Sequence, residues 1–365
     1  MASASLLDQV AEKSLAHHLP LNVHFDLTYR CNERCIHCYL DHEDYGELTG
    51  AEVKGILDQL ARAGTLFLTF SGGEVFLRHD FFDLVAYAKK LHFDLSLKTN
   101  ALLINEGRAG RLKALGVSKV QVSIYSADPR IHDAVTKIPG SFARSLQAIR
   151  FLKEQGLQVK IACPLMKLNA EGLPAVQALA EELDVPYILD LTITPRMDGD
   201  LTPVALRIDK KELLPVLNNR RLRAQQAAAS ELPSEAAESP PDPYADIPCS
   251  AGHNSCYLSP YGDVYPCVQM PVPTGNLREQ PFEEIWYGSP QMLRVRSVRE
   301  NQLHTCSSCG LRSSCSRCPG LAYVEDGDLR GPSRTACELA ELRASLAGVP
   351  NPVSVARSQP AWRVT

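Results

Sequence analysis

Cys31-Asn32-Glu33-Arg34-Cys35-Ile36-His37-Cys38-Tyr39 comes soon after Leu21-Asn22-Val23-His24-Phe25-Asp26-Leu27, and Ser71-Gly72-Gly73-Glu74 follows Thr65-Leu66-Phe67-Leu68-Thr69-Phe70. Both preceding runs have the length and apolar content of strands. One leads into three thiols within eight residues, the other into a Gly-Gly pair and a carboxylate. Chemistry-bearing residues at successive strand ends suggest a parallel α/β protein, in which the C-terminal strand ends face the site.

Outward from these stretches the alternation continues. Thr49 and Glu52 form a capping-box pattern ahead of a helix over 51–63. A helix over 80–92 precedes a strand over 93–100, and a further strand covers 119–125. Helices near 141–156 and 171–184 alternate with strands near 157–165 and 185–193. About six β/α repeats with short turns imply a parallel sheet with outer helices. Six are too few for a closed eight-fold barrel. An open, partial (β/α)6 TIM-like barrel over 21–229 fits better than a doubly wound sheet, but the pattern alone does not separate the two. Residues 1–20 form a short extension. Residues 230–248 hold five prolines and five acidic residues with no Lys or Arg, which reads as a linker. A small cysteine-rich domain is expected over 249–345, with a tail over 346–365.

The 365 residues suit about two domains at ~100–200 residues each. Apolar residues are 45% and charged residues 22%, an ordinary globular balance. A net charge of -4 gives no general footprint for nucleic acid. No apolar run reaches membrane-helix length, and the N-terminus lacks the pattern of a signal peptide. A cytoplasmic location is expected, with neither nucleic acid nor membrane as partner.

Twelve cysteines fall at 31, 35, 38, 163, 249, 256, 267, 306, 309, 315, 318 and 337. Clustering at both ends of a long, cytosolic-looking chain points to metal or iron–sulfur ligation rather than disulfides. Three thiolates in one loop would leave one iron of a 4Fe–4S cubane open; a zinc site completed by His37 is the alternative. The last eight thiols make two sets of four, for which two zinc ribbons are the alternative. Cys163, in an apolar strand, reads as a small buried hydrophobe.

CNERCIHCY resembles the C-x3-C-x-aromatic-C motif of the radical S-adenosylmethionine (SAM) superfamily, with His37 as the aromatic, and SGGE resembles its Gly-Gly-Glu motif. The resemblance spans roughly 20–200 and implies a 4Fe–4S cluster on Cys31, Cys35 and Cys38. It implies that the open iron chelates SAM, and that one electron cleaves the S–C5′ bond. The resulting 5′-deoxyadenosyl radical abstracts a substrate hydrogen. By motif position His37, Tyr39, Gly72, Gly73, Glu74 and Ser123 are the expected SAM contacts. The family often places an Arg in a His-Asp-x-x-Arg stretch; here the stretch is His132-Asp133-Ala134-Val135-Thr136, so that contact is expected elsewhere, with Arg196 a candidate. Asp190 and Arg196, near the last strand end, are candidate ligand contacts or an ordinary ion pair.

The C-terminal spacing, with Gly262-x4-Cys267, resembles the SPASM extension, which binds two auxiliary 4Fe–4S clusters. Carried over, Cys249, Cys256, Cys267 and Cys318 would hold the nearer cluster, and Cys306, Cys309, Cys315 and Cys337 the outer one. The chain departs from the usual C-x3-C at Cys315-x2-Cys318. Full cysteine ligation would favour electron relay or structural support. The resemblance implies SAM and three 4Fe–4S clusters as cofactors, with an external electron donor of flavodoxin or ferredoxin type. It implies hydrogen abstraction from a peptide or protein substrate in ribosomal peptide maturation, as in the pyrroloquinoline-quinone and mycofactocin maturases. Sulfatase-maturing enzymes place an Asp base after the Gly-x4-Cys cysteine; here it is Val268, which cannot take a proton. The short N-terminal extension suggests that a separate protein, or the barrel mouth, recognises a leader peptide. The alternative is small-molecule or tetrapyrrole (haem-type) chemistry; a zinc-bound scaffold is a third class.

Overall fold

The computed structural model describes residues 6–219 and 246–348. Most of the 230–248 linker, and the tail from 349 on, lie outside the described residues. The first part runs α1 (Leu6–Ala16), β1 (Asn22–Thr28), α2 (Gly50–Arg62), β2 (Phe67–Gly72), α3 (Phe81–Lys90), β3 (Asp94–Thr99), α4 (Glu106–Ala114), β4 (Lys119–Ser123), α5 (Pro129–Thr136), α6 (Ser141–Glu154), β5 (Gln158–Pro164), α7 (Leu173–Glu182), β6 (Tyr187–Asp190) and α8 (Lys210–Leu217). The second part adds β7 (Ser255–Leu258), β8 (Asp263–Tyr265), β9 (Gly275–Asn276), α9 (Phe282–Gly288), α10 (Pro290–Arg296), α11 (Pro319–Asp326) and α12 (Arg334–Leu346).

The six predicted strands lie side by side in sequence order, every neighbouring pair parallel. A doubly wound sheet would reverse its order partway; this one never does, as expected of a partial barrel. The helices form where the pattern placed them. On α2 the buried residues Val53, Ile56, Leu57 and Leu60 recur at helical spacing, and the Thr49–Glu52 capping box is closed in both directions.

Strand alternation divides the barrel into two chemistries. Val23, Phe25, Leu68, Phe70, Leu95, Leu97, Val120, Val122, Val159 and Ile161 join the main core beneath the helices. The residues between them, including His24, Asp26, Ser71, Lys98, Gln121, Ser123 and Lys160, face the interior. Strands of a parallel sheet covered on both faces are usually apolar throughout. A polar inner face therefore marks a ligand space.

The sheet does not stop at six strands. β7 adds to the free edge of β1 in parallel, with His24 opposite Tyr257, and β8 and β9 continue antiparallel to give nine strands. The sequence reading separated barrel and cysteine-rich domain; the structure joins them through one sheet. The physical reason is the edge of β1, whose unpaired amides and carbonyls β7 satisfies. The N-terminal extension straddles the same joint: Asn254 Nδ2 donates to Ser14 Oγ at 2.9 Å, and Trp286 Nε1 donates to the His18 carbonyl. Ion pairs Glu52–Arg278, Arg207–Glu325 and Lys210–Glu341 also cross it. Among the described residues, no helix is long and apolar enough to cross a membrane.

Candidate active site

The three-cysteine loop leaves the end of β1 and is clamped by the end of β2. Gly73 N donates to Thr28 O at 2.7 Å and Glu74 N to Arg30 O at 2.9 Å. A Cβ on Gly72 would collide with the Thr28 carbonyl, and one on Gly73 with the Arg30 carbonyl; Gly72 also has φ +128°. The glycine pair is thus needed for two backbones to meet. Glu74 is fully buried and bonds within the chain: it accepts from Thr99 Oγ1 at 2.7 Å, Asn100 N at 3.0 Å and Phe76 N at 3.1 Å. It ties β2 to β3. Asn100 Nδ2 in turn donates to Cys31 Sγ at 3.7 Å and to Asn32 Oδ1 at 2.7 Å, which steadies the loop.

Below the loop lies a cavity of about 360 Å³. Cys31, Cys35 and Cys38 line it together with Gly72, Gly73, His37, Tyr39 and Ser123. Of the sequence-predicted SAM contacts, Glu74 and the candidate Arg196 are missing from its walls. His37 is held edge-on to Tyr125 at 4.9 Å between ring centroids, and its buried Nδ1 has no partner. Cys163 and Asp190 also border the space. Arg196 is paired with Asp198 at 3.0 Å. The His132-Asp133 stretch is used locally: His132 Nδ1 accepts from Tyr125 N at 3.2 Å, and Asp133 accepts from Gly140 N, Ser141 Oγ and Phe142 N. Thr136, where the family often has Arg, bonds Ser141 Oγ at 2.8 Å.

The inner face supplies residues that motif reading missed. Asp26 is fully buried. Its Oδ1 meets His24 Nε2 at 3.0 Å, and its Oδ2 accepts from Tyr257 at 2.9 Å and Tyr39 at 3.2 Å. Tyr39 adjoins Cys38 and Tyr257 adjoins Cys256, so one carboxylate ties the cysteine loop to the C-terminal domain. On the other side of the imidazole, Lys98 Nζ lies 3.5 Å from His24 Nδ1. Burial holds the pKa of both His24 and Lys98 below its ordinary value. With Nε2–H directed at Asp26, Nδ1 is free to accept from the Lys98 ammonium. The signal in sequence is the alternation of β3, which puts Asp94, Ser96 and Lys98 on the face opposite Leu95 and Leu97. Val268 and Gln269, from the C-terminal domain, complete the far wall.

The C-terminal thiols fall into separate groups. Cys306, Cys309, Cys315 and Cys337 line one cavity of about 310 Å³ beside Arg312 and Arg317. Cys249 and Cys267 pack against Ala251, Met270 and Val295, a small core that Cys306 touches from the outer group. Gln269 connects Cys267 with Cys318: its N donates to Cys267 Sγ at 3.5 Å, and its Oε1 accepts from Cys318 Sγ at 3.4 Å. Cys256 lies apart, in the main core.

The donor sets fit 4Fe–4S clusters, whose separate irons each take a ligand: Cys31, Cys35 and Cys38 line one cavity, and Cys306, Cys309, Cys315 and Cys337 line another. Burial also pushes the Cys31 thiol up to about 12 and Cys267 to about 11, so a bound cluster would have to supply the positive charge that makes them thiolates.

Residues 25–180 match the Radical SAM superfamily model, and 249–310 the SPASM iron–sulfur cluster-binding domain. The AdoMet-dependent heme synthase of Methanosarcina barkeri is 29% identical over 85% of this chain and 94% of its own length. The Mycofactocin maturase MftC of Mycobacterium ulcerans is 31% identical over 86% of each chain. The crystal structure of Streptococcus suis SuiB bound to S-adenosylmethionine superposes with a TM-score of 0.68 at 18% identity, covering 91% of this chain and 82% of that one, which shows the shared fold. With its cysteine loop at the end of β1, a Gly-Gly-Glu clamp at the end of β2 and a cysteine-rich extension of the same sheet, this chain belongs to the radical SAM superfamily, as an enzyme carrying a SPASM iron–sulfur domain.

Proposed function

We propose that this radical SAM enzyme abstracts hydrogen from a peptide or protein substrate, and that it works with three 4Fe–4S clusters. The observation that carries this reading is the cavity, bounded at one end by Cys31, Cys35 and Cys38 and on its far wall by Val268 and Gln269. A substrate there would lie between the SAM site and the nearer auxiliary site. The likeness to Mycofactocin maturase over most of both chains favours a peptide.

A cluster bound on the loop would supply the electron for reductive cleavage of SAM. The chain's own residues position and shield. Cys31, Cys35 and Cys38 hold the cluster, and the glycine clamp fixes their loop. His37, Tyr39 and Ser123 border the space for the adenosyl group. The Asp26 network keeps Lys98 and His24 pointed at the substrate side. An external donor of flavodoxin or ferredoxin type delivers the electron, and a separate recognition protein or the barrel mouth holds the peptide.

A second reading has its own support. Lys98 is largely buried and has no carboxylate partner among the described ion pairs, and Lys98, Gln121 and Lys160 are direct cross-strand neighbours on the inner face. Such a row would suit the carboxylates of a tetrapyrrole, and a heme synthase is among the relatives. Anaerobic incubation of reconstituted enzyme with SAM, reductant and either a candidate precursor peptide or a propionate-bearing tetrapyrrole, read by mass spectrometry, separates the two. A modified peptide supports the first reading. Modification of the tetrapyrrole alone replaces it with the second.

A further inference from the structure

Cys256 would complete a four-cysteine auxiliary site if it joined Cys249, Cys267 and Cys318. β7 carries it on the opposite face. Successive strand residues point to opposite sides of a sheet. Tyr257 points into the barrel, where it reaches Asp26 at 2.9 Å, and it lies opposite Tyr265 of β8. Its neighbour Cys256 therefore points outward. It pairs with Val23 in the β1–β7 ladder, packs in the main core with Leu258, Val264 and Met292, and is 3% exposed.

The other three thiols occupy different surroundings. Cys249 and Cys267 pack against the smaller core of Ala251, Met270 and Val295, and Gln269 bonds both Cys267 and Cys318. Ligands of one cubane must surround one small body. A thiol on the far face of a central strand cannot join that ring without flipping the strand's side chains.

We infer that the nearer auxiliary cluster is held by three thiolates, Cys249, Cys267 and Cys318, and that its fourth iron carries an exchangeable, non-cysteine ligand beside Gln269 at the edge of the cavity. Cys256 is a core residue. The inference rests on the cluster-bearing reading above and deepens it. An iron open to exchange could bind an oxygen, nitrogen or sulfur atom of a substrate.

Native mass spectrometry of the anaerobically reconstituted holoenzyme tests it. Cys256→Val should keep every cluster of the wild type, whereas Cys318→Ala should lose one, about four irons. Loss of a cluster from folded Cys256→Val or Cys256→Ala protein overturns the inference. The wild-type enzyme provides a second reading that needs no substitution. With SAM saturating the first cluster, ¹³C-cyanide should give a coupled carbon signal in the reduced enzyme by electron–nuclear double resonance. Absence of that signal also overturns it. Failure of the radical reading is a separate result: no 5′-deoxyadenosine from wild-type enzyme, whatever the cluster count.

Discussion

The two cysteine-bearing regions solve the same ligation problem in opposite ways. Cys31, Cys35 and Cys38 lie on one loop, so their convergence is set by local chain geometry. The C-terminal thiols come from well-separated segments, and only tertiary packing decides which of them meet. A compact motif can be read residue by residue; a dispersed one can be counted but not partitioned. Cys256 illustrates the difference. Its spacing invites assignment to a cluster, yet strand parity turns it into the main core. Both regions nevertheless share one sheet and one buried carboxylate, Asp26, which receives a tyrosine from each.

The sharpest way to separate the regions is to damage the loop without touching a cysteine. Gly73→Ala places a methyl against the Arg30 carbonyl. We expect loss of about four irons and a fall in 5′-deoxyadenosine formation of at least ~100-fold, about 2.7 kcal/mol in barrier terms, with the C-terminal clusters retained. Iron analysis and chromatography check it. Full SAM cleavage in the variant would remove the clamp from the account.

A second test strikes the other region. Cys309→Ala removes one of the four thiols lining the outer cavity. SAM cleavage should stay within about threefold of wild type, a barrier change under ~1 kcal/mol, while modified product falls further. Equal losses in soluble protein with its other clusters intact would count against electron relay. Coupled loss with aggregation would favour a structural role, because cluster ligation is also folding energy.

How tightly the regions are joined can be measured at Glu325. It is 3% exposed and accepts from Arg207 at 2.8 Å, Thr335 Oγ1 at 2.7 Å and Ser333 Oγ at 2.9 Å. Glu325→Ala removes the buried carboxylate that faces the Arg207 guanidinium and should destabilise the chain by about 3 kcal/mol. Denaturant melts of the apoprotein would show it; an unchanged midpoint would mean the regions are stable independently.

The smallest effect is expected at the surface pair Glu52–Arg278, 2.8 Å apart. The Arg278 guanidinium and the Thr49 cap hold the Glu52 carboxyl at about 2, below its ordinary 4.5. A depressed carboxyl pKa stabilises fully above the unfolded value and is lost as pH falls from there towards 2. Because the pair is exposed, Arg278→Ala should cost under ~1 kcal/mol at neutral pH. The difference between variant and wild type should shrink below about pH 4.

Much of the barrel was legible because helical and strand periodicities report which face of each element is buried. Residues 31–39 and 71–74 were legible because their chemistry is local. The joint was not: β7 is four residues long, and its pairing with β1 crosses more than two hundred residues of chain. Lys98, His24 and Asp26 were passed over because each has an ordinary reading in isolation. Their role emerges only when three positions on two strands turn inward together. Glu74 was read as a SAM contact from its motif; the motif gave no sign that its carboxylate also accepts from Thr99 and Asn100 at the end of β3.

The most direct test asks whether the N-terminal loop is the seat of SAM cleavage. Wild-type enzyme and a variant with Cys31, Cys35 and Cys38 all replaced by Ala would be reconstituted anaerobically, then given SAM and dithionite, and 5′-deoxyadenosine quantified. The account predicts 5′-deoxyadenosine from the wild type, slowly even without substrate, and none from the variant, which retains its C-terminal clusters. Equal formation by both would contradict it.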